Sequence, residues 1–320
     1  MRTKIKENKK TITKSFIDDT PVTIHDAKDK KYLHEKIKYQ AIKEIGQNEY
    51  KKHCTVLFNH EVLNYADTLV INLPGSCHAH CSYCIDKNLR KNEIDEMNFI
   101  NIIKKILEQD ITFKNIAITG GNIASNYFNQ IVELLHNKHP NAIITWNTNG
   151  IDIDETYNVE YITFINLHRN SVDENINKKL FVTNHNVLSL QKAKELFKEK
   201  LYLRVTVTKG FDLDEYAKFD IPLYLNQLLP VSTESKKAFD SMLNKLNVTD
   251  DSDIRRRNQY LTCSYKGLPI RICMGDKLAT HVPGRYPMWL NVIILHRSGV
   301  ISGSWFEDDK VLYNRKEKDD

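Results

Sequence analysis

TLVINLPGSCHAHCSYC, residues 68–84, joins an apolar run to a loop that carries three thiols within eight residues. Leu69 to Leu73 has the length and aliphatic content of a buried strand, and the Pro-Gly pair that follows ends it. Cys77, Cys81 and Cys84 therefore stand just beyond a strand end, spaced Cys-x-x-x-Cys-x-x-Cys. Three thiolates on one short loop can ligate three irons of a cubane cluster; with no fourth Cys nearby, the fourth iron keeps an open position. Zinc is the competing metal, since His78 and His80 lie within the loop. Structural zinc sites, however, draw paired ligands from two places in the chain, and no obvious partner pair follows here.

Outward from this loop the chain alternates. Met97, Ile100, Ile103, Ile106 and Leu107 recur at helical spacing, and NIAIT at 115–119 reads as a buried strand closed by Gly120 and Gly121. A helix over 125–137 and a strand at 142–146 that runs into the polar turn NTNG come next. A strand at 161–167, helical segments across 172–199, a strand at 201–207, a short helix near 213–218 and a strand at 221–229 complete the series. Such alternation demands parallel strands joined by right-handed crossovers. About six units predict an α/β fold, a partial (β/α)6 TIM-like barrel rather than a closed eight-unit one, with ligands at the carboxyl ends of the strands.

The flanks differ in character. Residues 1–66 read as a basic arm and a helical extension, with a charge-rich surface helix over 28–53; the barrel is expected over 67–230. After Pro230 the rhythm breaks, and YLTCSYKGLPIRICM (260–274) and WLNVIILHRSGVISGSW (289–305) each read as a hairpin turning at a Gly. Residues 231–320 are therefore expected to form an antiparallel β appendage covering the barrel mouth.

Composition narrows the class. The chain of 320 residues is 41% hydrophobic and 27% charged, has no run of eighteen apolar residues, and begins with MRTKIKENKKTITK, which lacks the apolar core of a secretory signal. A cytoplasmic protein with no membrane partner is the expectation. Six Cys, three of them clustered, suit metal or redox chemistry better than a disulfide frame. The net charge of +5 is modest, and much of the excess lies in the first fourteen residues: a solvated tail, or a contact for nucleic acid or an acidic peptide.

The pattern Cys-x-x-x-Cys-x-aromatic-Cys after a first strand, with Tyr83 in the aromatic slot, resembles the signature loop of the radical S-adenosylmethionine superfamily. The resemblance covers roughly residues 67–230 and implies the same partial barrel. It implies a 4Fe–4S cluster on Cys77, Cys81 and Cys84 whose open iron is chelated by the amine and carboxylate of S-adenosylmethionine. A flavodoxin- or ferredoxin-type donor would supply the electron that splits this cofactor to methionine and a 5′-deoxyadenosyl radical, which takes a hydrogen atom from the substrate.

In the superfamily a Gly-Gly-Glu segment after the second strand helps to hold the amine. The matching residues are Thr119, Gly120, Gly121 and Asn122, and Asn122 offers a hydrogen-bond acceptor without the countercharge of the usual Glu. Glycine there would let a ligand approach the backbone where a Cβ would intrude. The resemblance further implies cofactor or substrate contacts from Asn147 and Asn149 at the third strand's end, His168 and Arg169 at the fourth's, Arg204 on the fifth, and Gln227 within the sixth-strand edge 226–228.

Cys263 and Cys273, on the two strands of a predicted hairpin, admit three readings: structural thiols, ligands of an additional cluster, or a hydrogen-atom donor to a product radical. Only Cys54 remains besides, so a second four-Cys cluster cannot be assembled within one chain. For the substrate, a peptide or protein side chain, a nucleotide or nucleic-acid base and a small metabolite all stay open. Outside the radical class stand a zinc-containing nucleic-acid-binding protein and a barrel that binds S-adenosylmethionine without cleaving it.

Overall fold

The structure is a computed structural model that describes residues 5–7, 10–12, 54–58, 60–64, 68–81, 84, 93–227, 232–248, 261–273, 289–290, 292–305, 307 and 311–314. The helix expected over 28–53, and Tyr83, lie outside the described residues. Two small antiparallel pairs come first: β1 (Ile5–Glu7) with β2 (Lys10–Ile12), and β3 (Cys54–Leu57) with β4 (His60–Asn64). The repeating part follows as β5 (Thr68–Leu73), α1 (Glu96–Leu107), β6 (Asn115–Gly120), α2 (Ser125–Lys138), β7 (Ile143–Thr148) and β8 (Phe164–His168). It continues with α3 (Glu174–Phe181), α4 (Leu190–Phe197), β9 (Leu201–Val207), α5 (Leu213–Ala217), β10 (Leu223–Gln227) and α6 (Thr233–Lys245). The chain then adds β11 (Leu261–Tyr265), β12 (Leu268–Cys273), β13 (Trp289–Leu290), β14 (Ile293–Leu295), β15 (Ile301–Ser302) and β16 (Val311–Tyr313).

One sheet carries the fold, in the order β11-β12-β10-β9-β8-β7-β6-β5-β14-β15-β16. β5 to β10 pair consecutively and in parallel, as the alternation of strand and helix predicts. β12 joins β10 in parallel and β14 joins β5 in parallel, so strands from the last part of the chain extend both sides of the parallel series. Antiparallel β11 covers one flank and antiparallel β15 and β16 the other. The two ends of the parallel run are thus capped by other strands instead of by each other, and the barrel stays open.

Strand alternation sorts the side chains. Along β9, Leu201, Leu203, Val205 and Val207 are buried, while Tyr202, Arg204 and Thr206 are half-buried on the opposite face. β6 and β7 repeat the division, with Ile116, Ile118, Ile144 and Trp146 in the core. The helices meet this apolar face: Phe128 of α2 packs on Trp146 with ring centroids 4.4 Å apart, and Phe197 of α4 approaches the same indole edge-on at 6.2 Å. The face turned away from the helices carries polar groups, among them Thr119, Asn147, Asn166 and Arg204.

Local signals explain most element ends. Asp95, Asp173, Ser189 and Asp212 each accept a backbone N–H in the first turn of α1, α3, α4 and α5, satisfying donors that a helix start leaves without partners. Between β7 and β8 no helix forms. Tyr157 fills its place, stacking on Trp146 at 5.7 Å while its hydroxyl donates to the Ile123 carbonyl at 2.8 Å.

Candidate active site

The carboxyl ends of the parallel strands bring the thiol loop beside several of the residues that the sequence singles out. Cys77, Cys81 and Cys84 follow β5 and are all half-buried. Their loop is held by two others. Ala79 lies in a small apolar cluster with Ile151 and Phe181, against which Cys77, Cys81 and Val187 pack. The backbone N–H of His80 donates to the Phe181 carbonyl at 2.7 Å, and the Thr183 hydroxyl donates to the His78 carbonyl at 2.6 Å. Asn149 Nδ2 stands 3.6 Å from Cys77 Sγ. An N–H aimed at a sulfur favours its anionic form.

Behind this loop the exits of β5 and β6 touch. A Cβ on Gly121 would sit 2.0 Å from the Gly75 carbonyl oxygen and 2.8 Å from that of Pro74. Gly120 has φ +108, and a Cβ there would meet Asn72 Oδ1 at 2.5 Å and Leu73 N at 2.6 Å. The chain's own backbone, entering the thiol loop, thus requires both glycines, a reason that sequence reading had assigned to a ligand. Asn122 has a structural task as well: its Nδ2 donates to the Ile151 carbonyl at 2.8 Å. A Glu, ionised, has no proton for that bond, which gives a physical reason for the departure from the Gly-Gly-Glu pattern.

On the polar face of the sheet, Asn166 Nδ2 donates to Asn147 Oδ1 at 3.0 Å, and Arg204 Nη1 reaches the same oxygen at 3.3 Å. The Arg204 guanidinium also lies 5.4 Å from the Tyr224 ring centre. His168, paired with Arg204 across β8 and β9, is half-buried, and desolvation with the nearby Arg204 and Arg169 charges pushes its pKa down to about 3. It is a neutral imidazole at neutral pH. Arg169 points elsewhere. Fully buried, it donates to the carbonyls of Asn149, His168 and Leu188 and so braces the loop after β7.

At the end of β10 the alternation separates two neighbours. Gln227 shares the parity of Leu223 and Leu225, whereas Asn226 falls on the face of Arg204 and Tyr224. Asn226 is 4% exposed, and its Oδ1 has no hydrogen-bond partner among the described residues. A buried acceptor left this way costs about 1–3 kcal/mol, so the site favours a ligand donor there.

The two later thiols part company. Cys273 is buried and pairs in register with Asn226, at the carboxyl ends of the strands. Cys263 stands opposite Ile270, which is in register with Leu223 at the amino end of β10. Three residues of strand, about 10 Å, separate those levels. The two thiols thus stand at different levels of the sheet, Cys273 at the carboxyl end of β10 and Cys263 near its amino end. Sequence reading also passed over Arg297, which is 2% exposed; its Nε donates to Asn72 Oδ1 at 3.3 Å and its Nη1 pairs with Glu93 at 3.1 Å. This pair ties the turn after β14 to β5 just before the thiol loop.

No family model matches the sequence, and no curated protein matches it. Solved structures do. Streptococcus suis SuiB, crystallised with precursor peptide SuiA, aligns with a TM-score of 0.50 and 16% identity, over 90% of this chain and 66% of that one, slightly less than two thirds of its length. AnSMEcpe, solved with bound AdoMet and Cp18Cys peptide, aligns at a TM-score of 0.45 and 18% identity, over 78% of this chain and 79% of that one. The protein therefore has the open, largely parallel α/β barrel fold of SuiB.

Proposed function

We propose that the protein is a radical S-adenosylmethionine enzyme. The observation that carries this reading is the placement of three half-buried thiols, spaced Cys-x-x-x-Cys-x-x-Cys, at the carboxyl end of the first barrel strand. The donor set fits a 4Fe–4S cluster: three sulfurs on one clamped loop, with an amide N–H at Cys77. Cys77, Cys81 and Cys84 would hold the metal, and the open iron would chelate the methionine end of S-adenosylmethionine. When bound, the cluster and this cofactor supply a radical able to take hydrogen from an unactivated C–H bond.

The remaining residues bind and orient. The backbone at Thr119 to Asn122 flanks the thiol loop and would meet the amine of the cofactor; with Asn122 already donating to Ile151, that amine finds an acceptor but no countercharge. Asn226 Oδ1, buried and without a partner, suits an amino donor such as the exocyclic amine of adenine. Arg204, Asn147 and Asn166 form a joined polar group on the sheet face that can fix hydroxyl or carboxylate groups. The neutral imidazole of His168 adds a hydrogen-bonding group without adding charge. The fold shared with SuiB, a protein solved with a precursor peptide, supports a peptide side chain as the target.

The test is dithionite-dependent formation of 5′-deoxyadenosine by anaerobically reconstituted protein. Formation in the wild type and its loss in Cys81→Ala are expected. Intact S-adenosylmethionine after prolonged incubation with the reduced, cluster-loaded protein would refute the proposal.

A further inference from the structure

A second group of metal-ligating side chains sits on the outer side of the thiol loop. His78 Nδ1 and His185 Nδ1 each lie 2.7 Å from one oxygen, Oδ2 of Asp152. The two imidazoles stack, with centroids 4.1 Å apart and planes 13° from parallel. All three ligand atoms fall within 4.8 Å of one another. They come from separate segments: the thiol loop, the loop after β7, and the loop between α3 and α4.

The segments are fixed to each other by contacts that do not involve these ligand atoms. Asp152 N donates to the Asn186 carbonyl at 2.9 Å, and Asn186 N donates to Asp152 Oδ1 at 3.2 Å. One carboxylate oxygen is thereby held by backbone and the other is presented to the imidazoles. Orientation of a ligand by a bond to its other atom is how proteins prepare metal sites. His78 and His185 also line a cavity of about 480 Å³, which Ser76, Cys77, His80 and Glu93 border. The ligand side chains are 34%, 33% and 47% exposed, so water and ions reach them.

We propose that His78, Asp152 and His185 bind a divalent transition cation of the zinc class, with a remaining coordination position open to the cavity. Two imidazoles and one carboxylate suit zinc, and three protein ligands with an open fourth position are the pattern of sites that keep water or a substrate atom on the metal. Around zinc at about 2.0–2.1 Å, tetrahedral ligand atoms stand roughly 3.3 Å apart. Each imidazole therefore has to retreat from Oδ2 by only about 0.6 Å, within the reach of half-exposed side chains. A metal on Nδ1 leaves Nε2 of each ring as the N–H donor. The carboxylate leaves one positive charge, which a hydroxide or an anionic group in the cavity can match. Because His78 directly follows Cys77, the cation would pin the thiol loop to the two loops beside it.

None of these ligands is a thiol, so the site stands or falls apart from the radical reading. The full-length chain with Cys77, Cys81 and Cys84 each changed to Ser is titrated anaerobically with Co(II) and Zn(II), by calorimetry and by the visible spectrum of bound Co(II). One equivalent with low-symmetry Co(II) bands is expected. His185→Gln or Asp152→Asn in that background should weaken binding at least about 100-fold, more than the loss of a merely orienting partner. Circular dichroism and the urea midpoint verify that each variant is folded. As a second measurement, zinc retained per chain is compared between cluster-loaded wild type and His185→Gln; about one zinc in the wild type and none in the variant is expected. Absence of stoichiometric binding, or equal binding in the variants, overturns the proposal.

Discussion

Changing Gly120 to Ala tests how the thiol loop is seated, because two separable costs meet at that residue. Its φ of +108 is a conformation that side-chain-bearing residues adopt at a cost of about 1–3 kcal/mol. The added Cβ would also lie 2.5 Å from Asn72 Oδ1, 2.6 Å from Leu73 N and 2.8 Å from Leu73 O. Two of these atoms are backbone in a central strand, and Asn72 cannot swing aside without losing the Arg297 Nε donor at 3.3 Å. Overpacking of this kind adds roughly 1–3 kcal/mol, for a total of about 2–6 kcal/mol against the ~5–15 kcal/mol typical of whole domains. Gly267→Ala is the control: φ is +84 there, and an added Cβ meets nothing within 4 Å, so only the conformational cost applies. Urea unfolding of metal-free protein followed by circular dichroism should place Gly120→Ala well below Gly267→Ala in midpoint, with equal slopes. Equal midpoints would refute the claim that the exits of β5 and β6 are in forced contact.

Three further outcomes follow from the same structure. Asn122→Glu should lower stability by about 1–3 kcal/mol by leaving the Ile151 carbonyl without its donor; an unchanged urea midpoint would contradict this. His296 is buried, its Nε2 within 3.0 Å of the Ser304 carbonyl, and desolvation pushes its pKa from 6.5 down to about 4. The unfolded chain then binds more protons between those values, so stability is full above about pH 6.5 and declines as pH falls towards 4, by roughly 3 kcal/mol in all; His168 acts in the same direction. His296→Gln should flatten that slope in pH-dependent urea melts, and an unchanged slope would show that His296 does not carry it. Arg297→Ala strands Glu93 and the buried Asn72 and should cost about 3 kcal/mol by the same assay, a loss under 1 kcal/mol speaking against a structural brace.

The sequence exposes what is local. LYLRVTV at 201–207 is β9 residue for residue, because strict alternation with β-branched and aromatic side chains leaves one reading. The spacing of the three thiols is likewise covalent information. Long-range placement is another matter: the hairpin signals of the tail are legible, but nothing in them says that β12 extends β10 or that β14 extends β5 in parallel. Those neighbours depend on register between distant segments. Helix α6 falls within residues 231–320, where only β structure is expected, yet its signal is local: Ser232 with Ser235 makes a capping box, and Phe239, Met242 and Leu243 share one buried face. The register of the β11–β12 hairpin was within reach too, since a two-residue turn at Lys266 and Gly267 places Cys263 opposite Ile270 and away from Cys273. Asp152 and His185 could not be paired with His78 from sequence at all. Their meeting requires three loops to converge on one end of the barrel.

The most direct measurement is Mössbauer and paramagnetic resonance spectroscopy of anaerobically reconstituted, dithionite-treated protein, with and without S-adenosylmethionine. A cubane cluster in the wild type, a change at one iron when the cofactor is added, and no cluster in Cys81→Ala are expected. Wild-type spectra without a cubane, or a cubane indifferent to the cofactor, would contradict the proposed function.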